Sequence, residues 1–161
     1  MAIDRQKTET VHWHAVFTAS RAEKKVRDRL EELGVECFLP VQTVLRQWTY
    51  RKSRVVVPVI AGLVFVRVSR QEQVKVLQTK GVVAFLRLKG EAGAAVIPDK
   101  QMEDFRFLLD FSEEAVEMTN ENIKAGDLVR VVKGSLRGME GELIRHKGVT
   151  KVLVRIDMLG C

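Results

Sequence analysis

In the first part of the chain, the spacing of apolar residues changes from every second position to a helical period. Alternate positions are apolar in residues 11–18, VHWHAVFT, which predicts a β-strand. The apolar residues after it recur at helical spacing on one stripe: Ala22, Val26, Leu30 and Leu33. Ser20 and Glu23 form an S-x-x-E capping box before this stripe, and Gly34 stands where a left-handed C-terminal cap belongs. A strand followed by a helix is therefore predicted.

The longest apolar run is VVVPVIAGLVFVRV, residues 55–68, directly after the basic stretch RQWTYRKSR. It is shorter than the roughly 18 to 20 apolar residues that cross a membrane, and a proline and Gly62 interrupt it. We predict a strand with a proline break over residues 37–45 and a polar excursion over 46–54. The apolar run itself is predicted to be extended, with a bend at Gly62.

Two further helices are predicted downstream. Ser69 and Glu72 form a second capping box, which opens a short helix that ends at Gly81 before the strand VVAFLRL. Pro98 and Asp99 predict the start of a third helix, which is followed by the acidic sequence SEEAVEMTNEN. Its inward residues are spaced by three, three and one: Met102, Phe105, Leu108 and Leu109. The predicted order is β-α-β-β-α-β and a helix, with a linker in the acidic sequence.

From residue 123 onward, short β-rich runs alternate with glycines, which predicts a small all-β unit. The glycines do not form a nucleotide-binding loop, because the lysine precedes the glycine and no helical pattern follows. Clear strands are predicted over residues 128–132, 141–146 and 151–156, and residues 158–161 only begin a fourth. An open set of strands exposes unpaired backbone, so the alternatives are an unstable unit, a unit that borrows a strand from elsewhere, or a shortened form of a longer protein, which we favour.

Charge is distributed unevenly along the 161 residues, whose net charge is +6. Residues 37–90 hold 10 Lys and Arg against one acid, whereas residues 91–118 hold 2 against 8. Ordinary surfaces mix both signs, so the basic block predicts an anionic partner.

Several classes of protein are excluded by what the chain lacks. The N-terminus has no apolar core typical of a secretory signal, so we expect a cytoplasmic protein with no membrane partner. Two cysteines far apart predict reduced thiols, and His12 and His14, without a carboxylate or thiol near them in sequence, predict a structural role. No catalytic constellation stands out, so we expect neither an enzyme nor a cofactor or metal.

The order of a mixed α/β unit, an acidic linker and a glycine-spaced tail resembles the NusG superfamily of transcription elongation factors, which join an NGN domain to a KOW domain. The tail GDLVRVVKGSLRGMEGEL resembles a KOW motif at four positions: Gly134, Leu136, Gly138 and Gly141. One segment is most similar to the UpxY-type paralogues of Bacteroides-like bacteria, which are antiterminators of surface-polysaccharide operons. Its sequence is ASRAEKKVRDRLEELGVECFLPVQTVLRQW.

This resemblance implies an α+β fold in two domains. The first is an NGN α/β sandwich of an antiparallel sheet with helices, over residues 10–111. An acidic linker over residues 112–123 joins it to a small all-β SH3-like KOW barrel over residues 124–161, which we expect to lack its last strand.

The resemblance further implies that the NGN domain binds the clamp helices of the largest RNA polymerase subunit. The positions that match the family's docking aromatics are Phe17, Ile60, Leu63, Phe65 and Leu88. The family motif Phe-Pro-Gly/Asn-Tyr stands here as Ile-Ala-Gly-Leu over residues 60–63, so two rings are lost while the site stays apolar. In LVFVRV, the face of Leu63, Phe65 and Arg67 is predicted to be the partly exposed one, because it ends in arginine.

The basic stretch RQWTYRKSR has a composition suited to binding nucleic acid, because cations alternate there with aromatic rings. Its candidate residues are Arg46, Trp48, Arg51, Lys52 and Arg54, with Tyr50 among them. A solvated hairpin tip is the alternative interpretation. The resemblance adds Lys75 and Lys80, at positions where family members approach the non-template DNA strand and the facing polymerase loop, with Gln73 as the neighbouring polar candidate.

The predicted function is therefore transcription elongation control without catalysis, with antitermination at specific operons. The expected partners are RNA polymerase, DNA, nascent RNA and, through the KOW domain, a ribosomal protein or a termination factor, and we expect a monomer. The alternative is a stand-alone RNA-binding or ribosome-associated KOW module, which the acidic segment after residue 98 disfavours because rRNA would repel it.

Overall fold

The computed structural model of the chain describes residues 10–111, 124, 126–130, 137–146 and 149–153. Its elements, in chain order, are β1 (His12–Thr18), α1 (Glu23–Glu32), β2 (Glu36–Phe38), β3 (Val41–Trp48), β4 (Arg51–Pro58), β5 (Leu63–Val68), α2 (Glu72–Leu77), β6 (Val82–Phe85), α3 (Asp99–Phe111), β7 (Asp127–Arg130), β8 (Glu140–His146) and β9 (Val149–Leu153). Helices and antiparallel sheets together make this an α+β protein, as the sequence predicts. None of the helices in the described part of the chain is long and apolar enough to cross a membrane.

The central structure is a four-stranded antiparallel sheet in the order β2-β5-β1-β6. In β1, the period-two pattern is confirmed as a strand, and its register places Phe17 opposite Leu63 and Ala15 opposite Phe65. These two strands are interior, so side chains on both of their faces are buried over most of their length. The apolar run LVFVRV is thus a core strand, since an interior strand of a covered sheet has no solvent face.

The helix α1 lies over the sheet face that carries Cys37 and Val66. The thiol of Cys37, which is opposite Val66 in the register, donates to the carbonyl of Arg27 at 3.7 Å. The C-terminus of α1 is closed by Gly34 at φ +75°, with the amide of Val35 donating to the carbonyl of Leu30. This is the Schellman arrangement that the glycine predicts.

The two predicted capping boxes have different outcomes. At α2 the box is confirmed, because the Glu72 amide donates to the Ser69 hydroxyl and the Ser69 amide donates to the Glu72 carboxylate. At α1 it is wrong, because Ala22 occupies the N-cap position with no side-chain hydrogen bond. The Glu23 carboxylate instead accepts the amide of Gly62 at 2.8 Å, so a residue predicted to serve its own helix connects that helix to β5.

Residues 41–58 form a hairpin of two eight-residue strands, β3 and β4, which make a two-stranded sheet. The register runs unbroken from Val41 opposite Pro58 to Trp48 opposite Arg51, with a two-residue turn at the tip. The predicted polar excursion over residues 46–54 is therefore wrong, since these residues continue the ladder of the flanking apolar segments. The predicted bend at Gly62 is confirmed by its φ of +73°.

The remaining elements follow their predictions closely. The third helix, α3, begins at Asp99 and buries Met102 and Phe105. Strands β7, β8 and β9 form a three-stranded antiparallel sheet, and β9 begins at Val149, two residues earlier than predicted. The linker over residues 112–123 and the start of a fourth strand at 158–161 lie outside the described residues.

The chain divides into two compact units, one of Met1–Leu39 with Gly62–Val96 and one of Pro40–Ala61 with Ile97–Cys161. The first contains the four-stranded sheet with α1 and α2. The second contains the hairpin, α3 and the three-stranded sheet. The predicted domain boundaries at residues 111 and 124 stay a prediction.

Candidate functional site

Phe17 is the accessible member of the apolar set predicted for docking. It lies near the end of β1, opposite Leu63 on one side and Ala84 on the other, so its ring stands on the same sheet face as Leu63. Its exposed fraction is 42%, which is unusual for a phenylalanine in an interior strand. The register shifts between Phe17 and Thr18, and such irregularities change the direction of side chains at the end of a sheet.

Leu63 and Phe65 lie on the same face but are covered, with exposed fractions of 4% and 0%. The Phe65 ring stacks on Phe38 at a centroid distance of 6.3 Å. The prediction that this face is partly exposed holds only for Arg67, whose guanidinium pairs with Glu36 at 3.3 Å. The reason is that β5 lies between β2 and β1 and five of its six residues are buried, so its alternation does not mark a solvent-facing side.

The other two docking candidates, Ile60 and Leu88, are half-buried. Ile60 precedes the bend and belongs to the second unit, while Leu88 follows β6 in the first. Within the first unit, the structure thus brings Phe17, Leu63 and Phe65 to one face.

The hairpin separates its cations between two faces. Cross-strand partners share a face, so Trp48, Arg51, Arg46 and Ser53 stand together on one side, while Lys52 and Arg54 stand on the other. We call the first side the tryptophan face. All four cations are exposed, and no acid occurs anywhere in residues 41–58. Among the described residues, none of these cations forms a salt bridge.

The tryptophan face has a defined ring orientation. The indole Nε1–H of Trp48 donates to the hydroxyl of Ser53 at 2.6 Å, a diagonal contact across the two strands. The indole remains 52% exposed in spite of this bond. Tyr50 lies in the turn with an exposed fraction of 98%, so it does not pack on the sheet beside Trp48.

The three polar candidates on and after α2 are placed differently from one another. The ammonium of Lys75 donates to the carbonyl of Leu33 at the end of α1, at 3.3 Å, where a cation also suits the helix dipole. Lys80 is exposed, and its carbonyl accepts a hydrogen bond from Arg29 at 2.6 Å. Gln73 is half-buried. Lys80 is therefore the candidate whose charge is directed to solvent without a protein partner in the described residues.

His14 is a core histidine. It is 3% exposed, its Nδ1–H donates to the carbonyl of Ala95 at 2.9 Å, and its ring meets Phe85 edge to face. Burial lowers the pKa of His14, which the Ala95 hydrogen bond opposes and the nearby His12 reinforces. Burial also raises the pKa of the Cys37 thiol to about 11, so this thiol stays protonated at neutral pH. In the described part of the chain, no three His, Cys, Asp or Glu residues are grouped to hold a metal ion.

Two of the four predicted KOW motif positions can be located. Gly138 has φ +91° in the turn before β8, and Gly141 stands in β8 opposite Val129. Gly134 and Leu136 lie outside the described residues.

Sequence reasoning missed two residues that organise these surfaces. Ser53 fixes the Trp48 indole, and it could have been found once residues 41–58 were recognised as one hairpin, because the register then makes the two residues diagonal neighbours. Glu23 fixes Gly62, and its sequence position gives no sign of this contact, since the two are 39 residues apart.

A family model described as the transcription termination factor NusG matches residues 11–106, which is more than half of the chain. The solved structure "Domain interaction in Thermotoga maritima NusG" is similar at 22% identity with a TM-score of 0.46, covering 83% of this chain and 79% of that one. No curated protein matches the chain in sequence.

Proposed function

Because the chain belongs to the NusG family of transcription factors, we propose that it is a non-catalytic elongation regulator that binds RNA polymerase through its N-terminal domain and promotes antitermination. The observation that carries this proposal is the family match over residues 11–106, which includes the whole four-stranded sheet and the hairpin. Interaction with RNA polymerase is a property of the family, and the regulation of elongation or termination follows from it.

We assign the centre of the polymerase contact to Phe17. An exposed aromatic ring on a rigid strand is the kind of anchor that dominates binding energy, because its position needs little ordering when the partner arrives. Leu63 and Phe65 then support the anchor from the same sheet face, and Leu88 and Ile60, both half-buried, are the other proposed contacts. A polymerase helix would lay its apolar stripe on such a surface.

Nucleic acid is the second proposed partner. The exposed hairpin cations and Lys80 would neutralise phosphates of upstream or non-template DNA, or of nascent RNA. Lys75 would contribute after exchanging its bond to Leu33, and Gln73 as a neighbouring polar group. The KOW-like tail would recruit a ribosomal protein or a termination factor, with Leu136 as its proposed contact.

The similarity to UpxY-type paralogues supports a narrower role in specific polysaccharide operons. A cytoplasmic, monomeric protein fits these roles. Both features belong to the proposal.

The test is co-precipitation of the full-length chain with purified RNA polymerase core, and with a core that lacks the clamp helices. We expect capture by the intact core only. In Phe17→Asp we expect at least a tenfold loss of affinity, because a charge replaces the proposed anchor. Leu77→Asp is the matched control, since Leu77 on α2 is 46% exposed and outside the proposed contact.

Both variants should retain the circular dichroism spectrum of the parent chain, because both side chains are partly exposed already. Equal capture by the core without clamp helices would contradict the proposed partner surface. Retained affinity in Phe17→Asp would contradict the anchor.

A further inference from the structure

We propose that the tryptophan face of the hairpin is a binding site for single-stranded nucleic acid, in which the Trp48 indole stacks on an unpaired base and Ser53 positions the indole. This deepens the proposed function by assigning a ligand class and a positioning residue to one face of the hairpin. It is tested without polymerase, so its failure and the failure of polymerase binding are distinguishable.

The orientation of the indole is the first support. A surface tryptophan normally exchanges between rotamers, and ordering it on binding costs free energy. Here the 2.6 Å bond from Nε1–H to the Ser53 hydroxyl fixes the ring while half of it stays exposed. The bond also occupies the indole's single hydrogen-bond donor. The ring is left with its π-face as the binding feature, and stacking on that face tolerates any base.

The charges on the same face are the second support. The hairpin register places Arg51 directly opposite Trp48 and Arg46 directly opposite Ser53, so two guanidinium groups flank the indole. Neither has an ion-pair partner among the described residues, and no acid lies in residues 41–58 to compete with a phosphate. An aromatic ring between two exposed cations matches the alternation of base and phosphate along a nucleic-acid strand.

A single strand fits this face better than a duplex. Bases inside a duplex are already stacked on their neighbours, so an indole could reach only their edges, whereas unpaired bases can be turned onto an aromatic ring. Tyr50 in the turn is fully accessible and offers a second ring two positions from Trp48. The opposite face, with Lys52 and Arg54, presents cations without an aromatic ring on its exposed half.

The experiment is a fluorescence titration of the full-length chain with oligo(dT), oligo(U) and a duplex of equal length. The chain has two tryptophans, and Trp13 is buried while Trp48 is exposed, so quenching on binding reports on Trp48. We expect both single strands to quench the signal and to bind more tightly than the duplex. The stronger of the two single strands identifies DNA or RNA as the source of the ligand.

The variants separate stacking from charge. Trp48→Ala should weaken binding by about 5- to 100-fold, measured by fluorescence anisotropy of a labelled strand. Ser53→Ala should weaken binding and leave the slope of log affinity against log salt unchanged, because no phosphate contact is lost. Ser53→Thr, which keeps the hydroxyl, should restore affinity.

A charge-matched pair tests the face. Arg46→Gln with Arg51→Gln should reduce the magnitude of the salt slope by about 1.4, the value for two phosphate contacts on a single strand. Lys52→Gln with Arg54→Gln removes the same charge from the other face and should reduce it by less. Unchanged affinity in Trp48→Ala, preference for the duplex, or equal effects of the two charge pairs would each overturn the proposal.

Discussion

At the scale of single residues, His14 makes the core dependent on pH. Its imidazole is buried with one nitrogen bonded to a backbone carbonyl, and its pKa is lowered first by burial. The folded state therefore keeps His14 neutral at pH values where the unfolded chain, with an ordinary pKa of about 6.5, already binds a proton.

The sign of the effect follows from proton linkage. Below a pH of about 6.5 the unfolded state binds more protons than the folded state. The contribution of neutral His14 to the free energy of unfolding is therefore complete above that pH and is lost as the pH falls toward the folded pKa. We expect the free energy of unfolding, from urea denaturation between pH 5 and 8, to decrease on the acid side. His14→Asn should flatten this slope, whereas His12→Asn, at an exposed position, should preserve most of it, because burial rather than His12 is the largest cause of the lowered His14 pKa. An unchanged slope in His14→Asn would assign the pH dependence to other groups.

Two glycines with similar backbone angles should respond differently to the same substitution. Gly62 and Gly81 have φ of +73° and +98°, so alanine is strained at both by about 1 to 2 kcal/mol. A Cβ at Gly62 meets nothing closer than 3.9 Å, whereas at Gly81 it would stand 2.8 Å from the Val26 side chain. We expect Gly62→Ala to destabilise by about 1 kcal/mol and Gly81→Ala by about 2 to 4 kcal/mol, since overpacking adds to the strain. Urea denaturation of both variants measures the difference, and equal losses would show that α1 moves aside without cost.

Exposure is the property of individual residues that the sequence predicted least well. Alternation correctly placed Leu63, Phe65 and Arg67 on one face, but it carried no information on whether another layer covers that face. Phe17 shows the opposite case, since it shares the face of the buried Ala15 and is nevertheless accessible. Phe17 and its cross-strand partner Leu63 lie at the same end of the sheet and on the same face, yet one is exposed and the other is buried, so neither alternation nor position along the strand gives the exposure.

At the scale of elements, the Glu23 contact couples the start of α1 to the start of β5. The carboxylate accepts the Gly62 amide, and the Gly62 carbonyl accepts the amide of Thr18 at the end of β1. One bend thus joins a helix and two strands.

Removing this carboxylate should therefore cost more than an ordinary helix-end substitution. Glu23→Ala leaves the Gly62 amide without its acceptor in a part-buried site, and we expect a loss of about 2 kcal/mol. Glu23→Gln keeps an acceptor oxygen and should lose less than half of that. Chemical denaturation gives both values, and amide exchange at Gly62 provides an independent readout. Equal losses would mean that charge at the helix N-terminus matters more than the hydrogen bond.

The elements themselves were largely predictable, because helical stripes, left-handed glycines and apolar runs are local signals. The helix end at Gly34 and the capping box at Ser69 and Glu72 were predicted, whereas α2 ends at Leu77, four residues before the predicted end at Gly81. For residues 46–54 a hairpin tip was only the alternative interpretation, because the tip is polar and its pairing is visible only when the ladder is traced from the apolar base. The Glu23 contact could not be predicted, since it depends on two segments meeting in space.

At the scale of the whole molecule, every strand of the four-stranded sheet lies between residues 12 and 85, and the family match ends at residue 106. A chain ending at residue 111 should therefore keep this sheet and melt cooperatively, as the predicted domain boundary requires. Amide spectra of the shortened chain should overlay on those of the full chain for residues of β1 and β5. Loss of cooperative unfolding would place the boundary elsewhere.

The hairpin also has a consequence for the behaviour of the protein in concentrated solution. Among the described residues its distal half belongs to a sheet of two strands, so both of its edges offer backbone groups to a strand from another copy. The four exposed cations, which have no ion-pair partner in the part of the chain that the structure describes, make neighbouring copies repel one another at this point. Because salt screens that repulsion, the ionic strength that weakens binding to a phosphate chain also removes the barrier to self-association. A polyanion on the hairpin would then act as a solubiliser as well as a ligand.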